Sequence, residues 1–131
     1  MRCLLIDDSP RYLRAARALL EREGIAVVGV ARTGEEALAQ VAELQPDVTL
    51  IDINLGDESG IDLARRLNEA GQSTGPGDEG GIILISSHSV DDFAELVEAS
   101  PVLGFLDKSA LGAGAIESLL HGGQPAGGAR A

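Results

Sequence analysis

Residues 48–55 read VTLIDINL. The apolar run Val48–Ile53 is interrupted by one acid, Asp52. A short run rich in β-branched residues, with no polar alternation, reads as a strand buried on both faces, as in a parallel sheet. An acid directly after Val-Thr-Leu-Ile then stands where the chain leaves such a sheet.

Four further runs have the same character: Cys3–Ile6, Ala26–Ala31, Ile82–Ile85 and Val102–Leu106. Helical spacing fills the gaps. Ser9 caps a first helix with Pro10 in its opening turn and Leu13, Ala16, Leu19 and Leu20 on one face, and Gly24 stops it. Thr33 caps the second, with Glu36 at capping-box spacing and Pro46 closing it. Residues 59–70 and 91–99 form the third and fourth. Ser109 caps the last, which carries Leu111, Ile116, Leu119 and Leu120. Strict β/α alternation predicts a parallel five-stranded sheet covered by helices on both faces. Right-handed crossovers bring every strand's carboxyl end to one edge.

Composition agrees. The 131 residues suit one domain, and aromatics are only 2%, so Leu, Ile, Val and Ala must fill the core. The net charge of −11 disfavours direct contact with nucleic acid or an anionic membrane. No stretch approaches the ~20 apolar residues of a membrane span, and no signal peptide is visible. Cys3, the single cysteine, reads as a buried inert thiol. A cytoplasmic location is expected. The Gly-rich segment 71–81 reads as a loop, and 122–131 as a flexible tail or the start of a linker.

The strand ends carry the chemistry. The first run ends in Asp7-Asp8, the third in Asp52, the fourth in Ser86-Ser87 and the fifth in Asp107-Lys108. The second ends in Arg32-Thr33, which an edge position explains if the strand order is 2-1-3-4-5. Ligands of open α/β sheets bind outside the carboxyl ends of the strands. Three carboxylates meeting there would force one to protonate unless a cation intervened, and magnesium suits the set. A carboxylate so placed can attack a phosphoryl group, with the lysine and hydroxyl holding its oxygens.

These motifs, namely Leu5-Ile6-Asp7-Asp8-Ser9, Ile51–Leu55 with Gly60, Leu84–Ser87 and Gly104–Lys108, resemble the receiver domains of bacterial response regulators over residues 1–121. The resemblance implies a flavodoxin-like, doubly wound (βα)5 fold. It implies that Asp52 accepts the phosphoryl group and that Asp8 binds Mg2+ directly, with Asp7 largely through water. The Asn54 backbone carbonyl would also coordinate the metal. Ser86 would swing toward the phosphoryl group, Lys108 would pair with the acceptor, and Phe105 would be the switch aromatic. The remodelled face would be that of the fourth helix, fifth strand and fifth helix. The donor would be a sensor histidine kinase or a histidine phosphotransfer protein, and a homodimer is compatible. Chemistry would be limited to phosphoryl transfer to and loss from Asp52.

The alternative is a phosphorylation-independent interaction module on the same fold, but such modules typically lose the acid pair or the lysine. An aspartyl-nucleophile hydrolase of the haloacid-dehalogenase type would want a second aspartate where Asn54 stands. Three departures are visible. Gly56 replaces a frequent proline, which predicts a looser loop after Asp52. Ser109 follows the lysine where many receivers have proline; Lys-Ser is common in the subgroup joined to helix-turn-helix DNA-binding domains. The 71–81 loop is longer than usual. Asn54 and His88 occupy positions that in this family modulate loss of the phosphoryl group, and His121 is expected at the end of the last helix.

Overall fold

The computed structural model describes residues 2–56, 58–69, 81–86 and 104–121. The expected fourth helix, the 71–80 part of the long loop, His88 and the 122–131 tail lie outside them.

Five parallel strands form the sheet: β1 (Arg2–Ile6), β2 (Ala26–Ala31), β3 (Val48–Asp52), β4 (Ile82–Ser86) and β5 (Gly104–Asp107). Their spatial order is β2-β1-β3-β4-β5, as the strand ends predicted. The helices are α1 (Pro10–Arg22), α2 (Gly34–Leu44), α3 (Gly60–Glu69) and α4 (Ala113–His121), the last being the fifth expected from sequence.

Each strand divides its side chains between two cores, because successive residues point to opposite faces. Cys3 and Leu5, Val48 and Leu50, and Ile83 and Ile85 pack with Leu13, Ala16 and Leu20 of α1 and with Ile116 and Leu119 of α4. Leu4 and Ile6, Ile51, Ile82 and Leu84 pack on the other face with Ala37 and Val41 of α2 and with Ile61, Ala64 and Leu67 of α3. Burying each of the Leu, Ile and Val side chains stabilises the fold by about 1.5–3 kcal/mol. Asp7 and Asp52 continue the odd and even series that face α1 and α4. Cys3 is fully buried, and desolvation pushes its thiol up to about 12.

Local chemistry sets the helix starts. Ser9 Oγ accepts from the Tyr12 amide at 3.2 Å, and Pro10 supplies the preset first turn of α1. Thr33 Oγ1 accepts from the Glu36 amide at 3.2 Å, while Glu36 Oε1 reaches back to the Arg32 amide at 2.9 Å, one residue earlier than a standard capping box. Gln45 ends α2 in the left-handed region at φ 48°.

One expectation is corrected. Ser109 does not cap the last helix. It sits in a 3-10 turn (Lys108–Ala110) capped by Asp107, whose Oδ1 accepts from the Ser109 amide at 2.9 Å and hydroxyl at 2.7 Å. α4 begins later, at Ala113, whose amide donates to Glu23 Oε1 at 2.7 Å. After Asp52 the chain forms a short two-stranded hairpin. Asn54–Leu55 pairs antiparallel with Glu58–Ser59, and Gly56 at φ 63° makes the turn. Glu58 ties this hairpin to the start of α2, both carboxylate oxygens accepting from the Gly34 amide at 3.1 Å.

Candidate phosphoryl-acceptor site

Four strand ends deliver the site. β1 ends at Ile6, and Asp7 follows, 1% exposed; its amide donates to the Ala31 carbonyl at 3.0 Å, which fixes the first turn off the strand. Asp7 Oδ1 then accepts from the Ser9 amide at 2.8 Å. Asp8 is exposed. Asp52 is the last residue of β3 and 6% exposed, and its Oδ1 accepts from the Asn54 amide at 3.1 Å. Ser86 closes β4, buried, opposite Asp107 in the sheet register. Lys108 follows β5 directly.

The closeness of α3 to Asp52 depends on Gly60. Its amide donates to the Ile53 carbonyl at 2.7 Å, and a Cβ at this position would run into the Asp52 backbone carbonyl. The glycine lets the first turn of α3 seat directly against the end of β3.

Lys108 links the acids. Its Nζ lies 2.6 Å from Asp7 Oδ2 and 3.3 Å from Asp52 Oδ2. The short approach to Asp7 is an ion pair off the hydrogen-bonding direction, so Asp7 Oδ2 is a buried oxygen with no aligned donor among the described residues. The same ammonium sits 4.3 Å from the centroid of the Tyr12 ring. The Tyr12 hydroxyl is also buried without a hydrogen-bond partner among the described residues.

The electrostatics reflect crowding. Burial, and then the Asp7 charge, raise the Asp52 carboxyl above its ordinary range, against the opposing pull of Lys108 and the Asn54 amide. Burial pulls the Lys108 ammonium down, but the contacts with Asp7 and Asp52 outweigh it and leave its affinity for the proton raised. Burial raises the Tyr12 phenol too, with Asp7, Asp52 and Asp107 adding to the effect. Hydrogen bonds from Ser109 lower Asp107, the side-chain bond first, so this carboxylate serves the turn rather than the cluster.

One carboxylate oxygen each from Asp7, Asp8 and Asp52 lie within 4.8 Å of one another. Among the described residues Lys108 is the one cation ion-paired to this cluster, through Asp7 and Asp52 but not Asp8, which leaves negative charge in excess. Converging hard oxygens, one of them buried and lacking an aligned donor, fit a hard divalent cation such as Mg2+. Asp8 also lines a cleft of about 450 Å³ together with Arg32, Thr33, Glu36, Leu55, Gly56 and Glu58, which opens the cluster to solvent.

The structure therefore brings Asp7, Asp52 and Lys108 into direct contact and Asp8 within reach. Asn54 touches Asp52 through its amide. Phe105 is half-buried on β5 against the α2/α3 core, outside the acid cluster. Tyr12 was not among the residues picked out from sequence. Its one signal there was its place three residues after the cap Ser9, which puts it in the helical turn next to Asp7-Asp8.

The family model described as "Response regulator receiver domain" matches residues 3–118. The transcriptional regulatory protein KdpE of Mycobacterium tuberculosis is 40% identical over 96 residues, 73% of this chain and 38% of that protein. A two-component response regulator of the LuxR family from Aurantimonas sp. superposes with TM-score 0.79 at 30% identity, over 92% of this chain and 85% of that one. The response regulator TrrA of Thermotoga maritima, solved in complex with Mg2+ and BeF, superposes with TM-score 0.73 at 23% identity, over 90% and 95% of the two chains. The chain spans between a fifth and about a half of the length of the first curated relatives it matches.

Proposed function

Because the chain belongs to the response regulator receiver domain family, we propose that Asp52 is its phosphoryl acceptor and that Asp7, Asp8, Ser86 and Lys108 complete the site. The observation that carries this reading is the triple contact of Lys108, Asp7 and Asp52 at one sheet edge, with Asp8 within 4.8 Å.

An Asp52 carboxylate oxygen attacks the phosphorus of a phosphohistidine on a sensor kinase or phosphotransfer protein. The P–N bond breaks as the O–P bond forms, and the departing imidazole keeps the bonding pair and takes up a proton. Asp7, Asp8 and Asp52, with the Asn54 backbone carbonyl, would hold Mg2+. Bound there, the ion neutralises the acids and withdraws charge from the phosphoryl oxygens. Lys108 stabilises the charge gathering on the phosphoryl group, and the buried Ser86 hydroxyl serves as a donor to it. The rest is positioning: Gly60 and the Asn54 amide hold Asp52, and the Ser9 amide holds Asp7.

The output is a shift between two states, in which Ser86 moves toward the new dianion and Phe105 turns into the vacated space. The half-buried position of Phe105 beside Leu84 in the sheet register suits a ring with two resting places. The domain would extend over residues 1–121, with 122–131 a tail or linker, and would act in the cytoplasm. No helix among the described residues is long and apolar enough to cross a membrane.

The test is intact-mass measurement after incubation with Mg2+ and acetyl phosphate. The wild type should gain one phosphoryl group and Asp52→Ala none. Equal labelling of the two proteins would contradict the assignment.

A further inference from the structure

We propose that Tyr12 is a positioning residue of the acceptor site, its ring holding the Lys108 ammonium in place between Asp7 and Asp52. The inference rests on the reading of Asp52 as acceptor for its kinetic arm, though not for its structural one.

The geometry forms a closed circuit. Asp7 Oδ1 accepts from the Ser9 amide at 2.8 Å, and Ser9 Oγ accepts from the Tyr12 amide at 3.2 Å. The Tyr12 ring lies under Lys108 Nζ, 4.3 Å from centroid to nitrogen, and Nζ returns to Asp7 Oδ2 at 2.6 Å. Lys108 thus has a rigid wall on one side and two carboxylates on the other. A lysine stem has four rotatable bonds, and the contact with a fixed aromatic face removes much of that freedom without neutralising the charge. The Lys108 side chain is only 19% exposed, so the attraction to the ring is weakly screened.

The placement of Tyr12 follows from α1 itself. The helix starts directly after the acid pair, and its first turn carries no acidic residue. Tyr12 occupies the third helical position, where a capping box would have Glu or Gln. A carboxylate there would add a further negative charge beside Asp7. An aromatic ring offers Lys108 an attractive face with no net charge.

The pairing predicts a coupling between Tyr12 and Lys108 that packing alone does not. Tyr12→Leu should slow phosphorylation by acetyl phosphate at saturating Mg2+ by about tenfold. Tyr12→Phe keeps the ring and should stay within about twofold of wild type. In a Lys108→Met background, Tyr12→Leu should have no further effect. Ring-current upfield shifts of the Lys108 Hε protons should be present in wild type and Tyr12→Phe and lost in Tyr12→Leu. If Tyr12→Leu does not fold, Tyr12→Met replaces it. Equal slowing with and without Lys108, wild-type rates in Tyr12→Leu, or unshifted Hε protons in the wild type would each overturn the proposal. Should the wild type take no label, the acceptor reading falls, and the Hε shift alone decides the pairing in the same two directions.

Discussion

Lys108 Nζ lies closer to Asp7 Oδ2, at 2.6 Å, than to Asp52 Oδ2, at 3.3 Å. The ammonium thus offsets part of the charge of the acid cluster while staying within reach of Asp52. On the proposed reading, an added divalent cation would act on the same carboxylates as the protein's own ammonium.

Lys108→Met should accordingly destabilise the metal-free protein by about 2 kcal/mol, because it leaves two buried carboxylates facing each other. Millimolar Mg2+ should restore most of that loss and should stabilise the variant more than the wild type. Urea unfolding with Mg2+ and with chelator measures both effects. A variant that gains no more from Mg2+ than the wild type would contradict the shared-cation account.

The raised affinity of the Asp52 carboxyl for its proton gives a pH dependence of fixed sign. Its folded-state pKa lies above the unfolded one, chiefly through burial and then Asp7. The cost of keeping it charged is therefore fully present above the folded value. That cost is relieved as pH falls through it and is gone below the unfolded value. Asp52→Asn removes the charge at every pH and should stabilise the metal-free protein at neutral pH by roughly 1–2 kcal/mol. The gap between variant and wild type should close as pH falls into the carboxylate range. A constant gap would show that Asp52 carries no such cost.

Gly60→Ala should be severe for a small change. The added methyl meets the Asp52 carbonyl, so α3 or the end of β3 must move. Overpacking of this kind costs about 1–3 kcal/mol. The variant should also be labelled by acetyl phosphate more slowly than its stability loss explains, since the carboxylate is displaced. Calorimetry and intact-mass kinetics read the two effects, and unchanged kinetics at reduced stability would place Gly60 in the scaffold only.

Much of this was legible in the chain itself. Five apolar runs gave the strands because buried parallel strands tolerate no polar alternation, and the bare end of the second run gave its edge position. Asp7, Asp8, Asp52 and Lys108 declared themselves by standing at equivalent places after their strands. What escaped were contacts between residues far apart in sequence. Glu58 reaching the Gly34 amide, Glu23 reaching the Ala113 amide and Tyr12 lying under Lys108 follow from side-chain direction in the folded state, which periodicity does not encode. The Ser109 misreading has a local cause. Asp107 competes for the same turn and accepts both the Ser109 amide and hydroxyl, so the serine is spent before α4 begins.

The most direct measurement of the central claim is chemical. Borohydride reduces an acyl phosphate to the alcohol, so an aspartyl phosphate becomes homoserine at the modified position. After treatment with Mg2+ and acetyl phosphate, reduction and peptide sequencing by mass spectrometry should find homoserine at position 52 and at neither Asp7 nor Asp8. Homoserine at position 7 or 8, or none anywhere in a protein that binds Mg2+, would contradict the account.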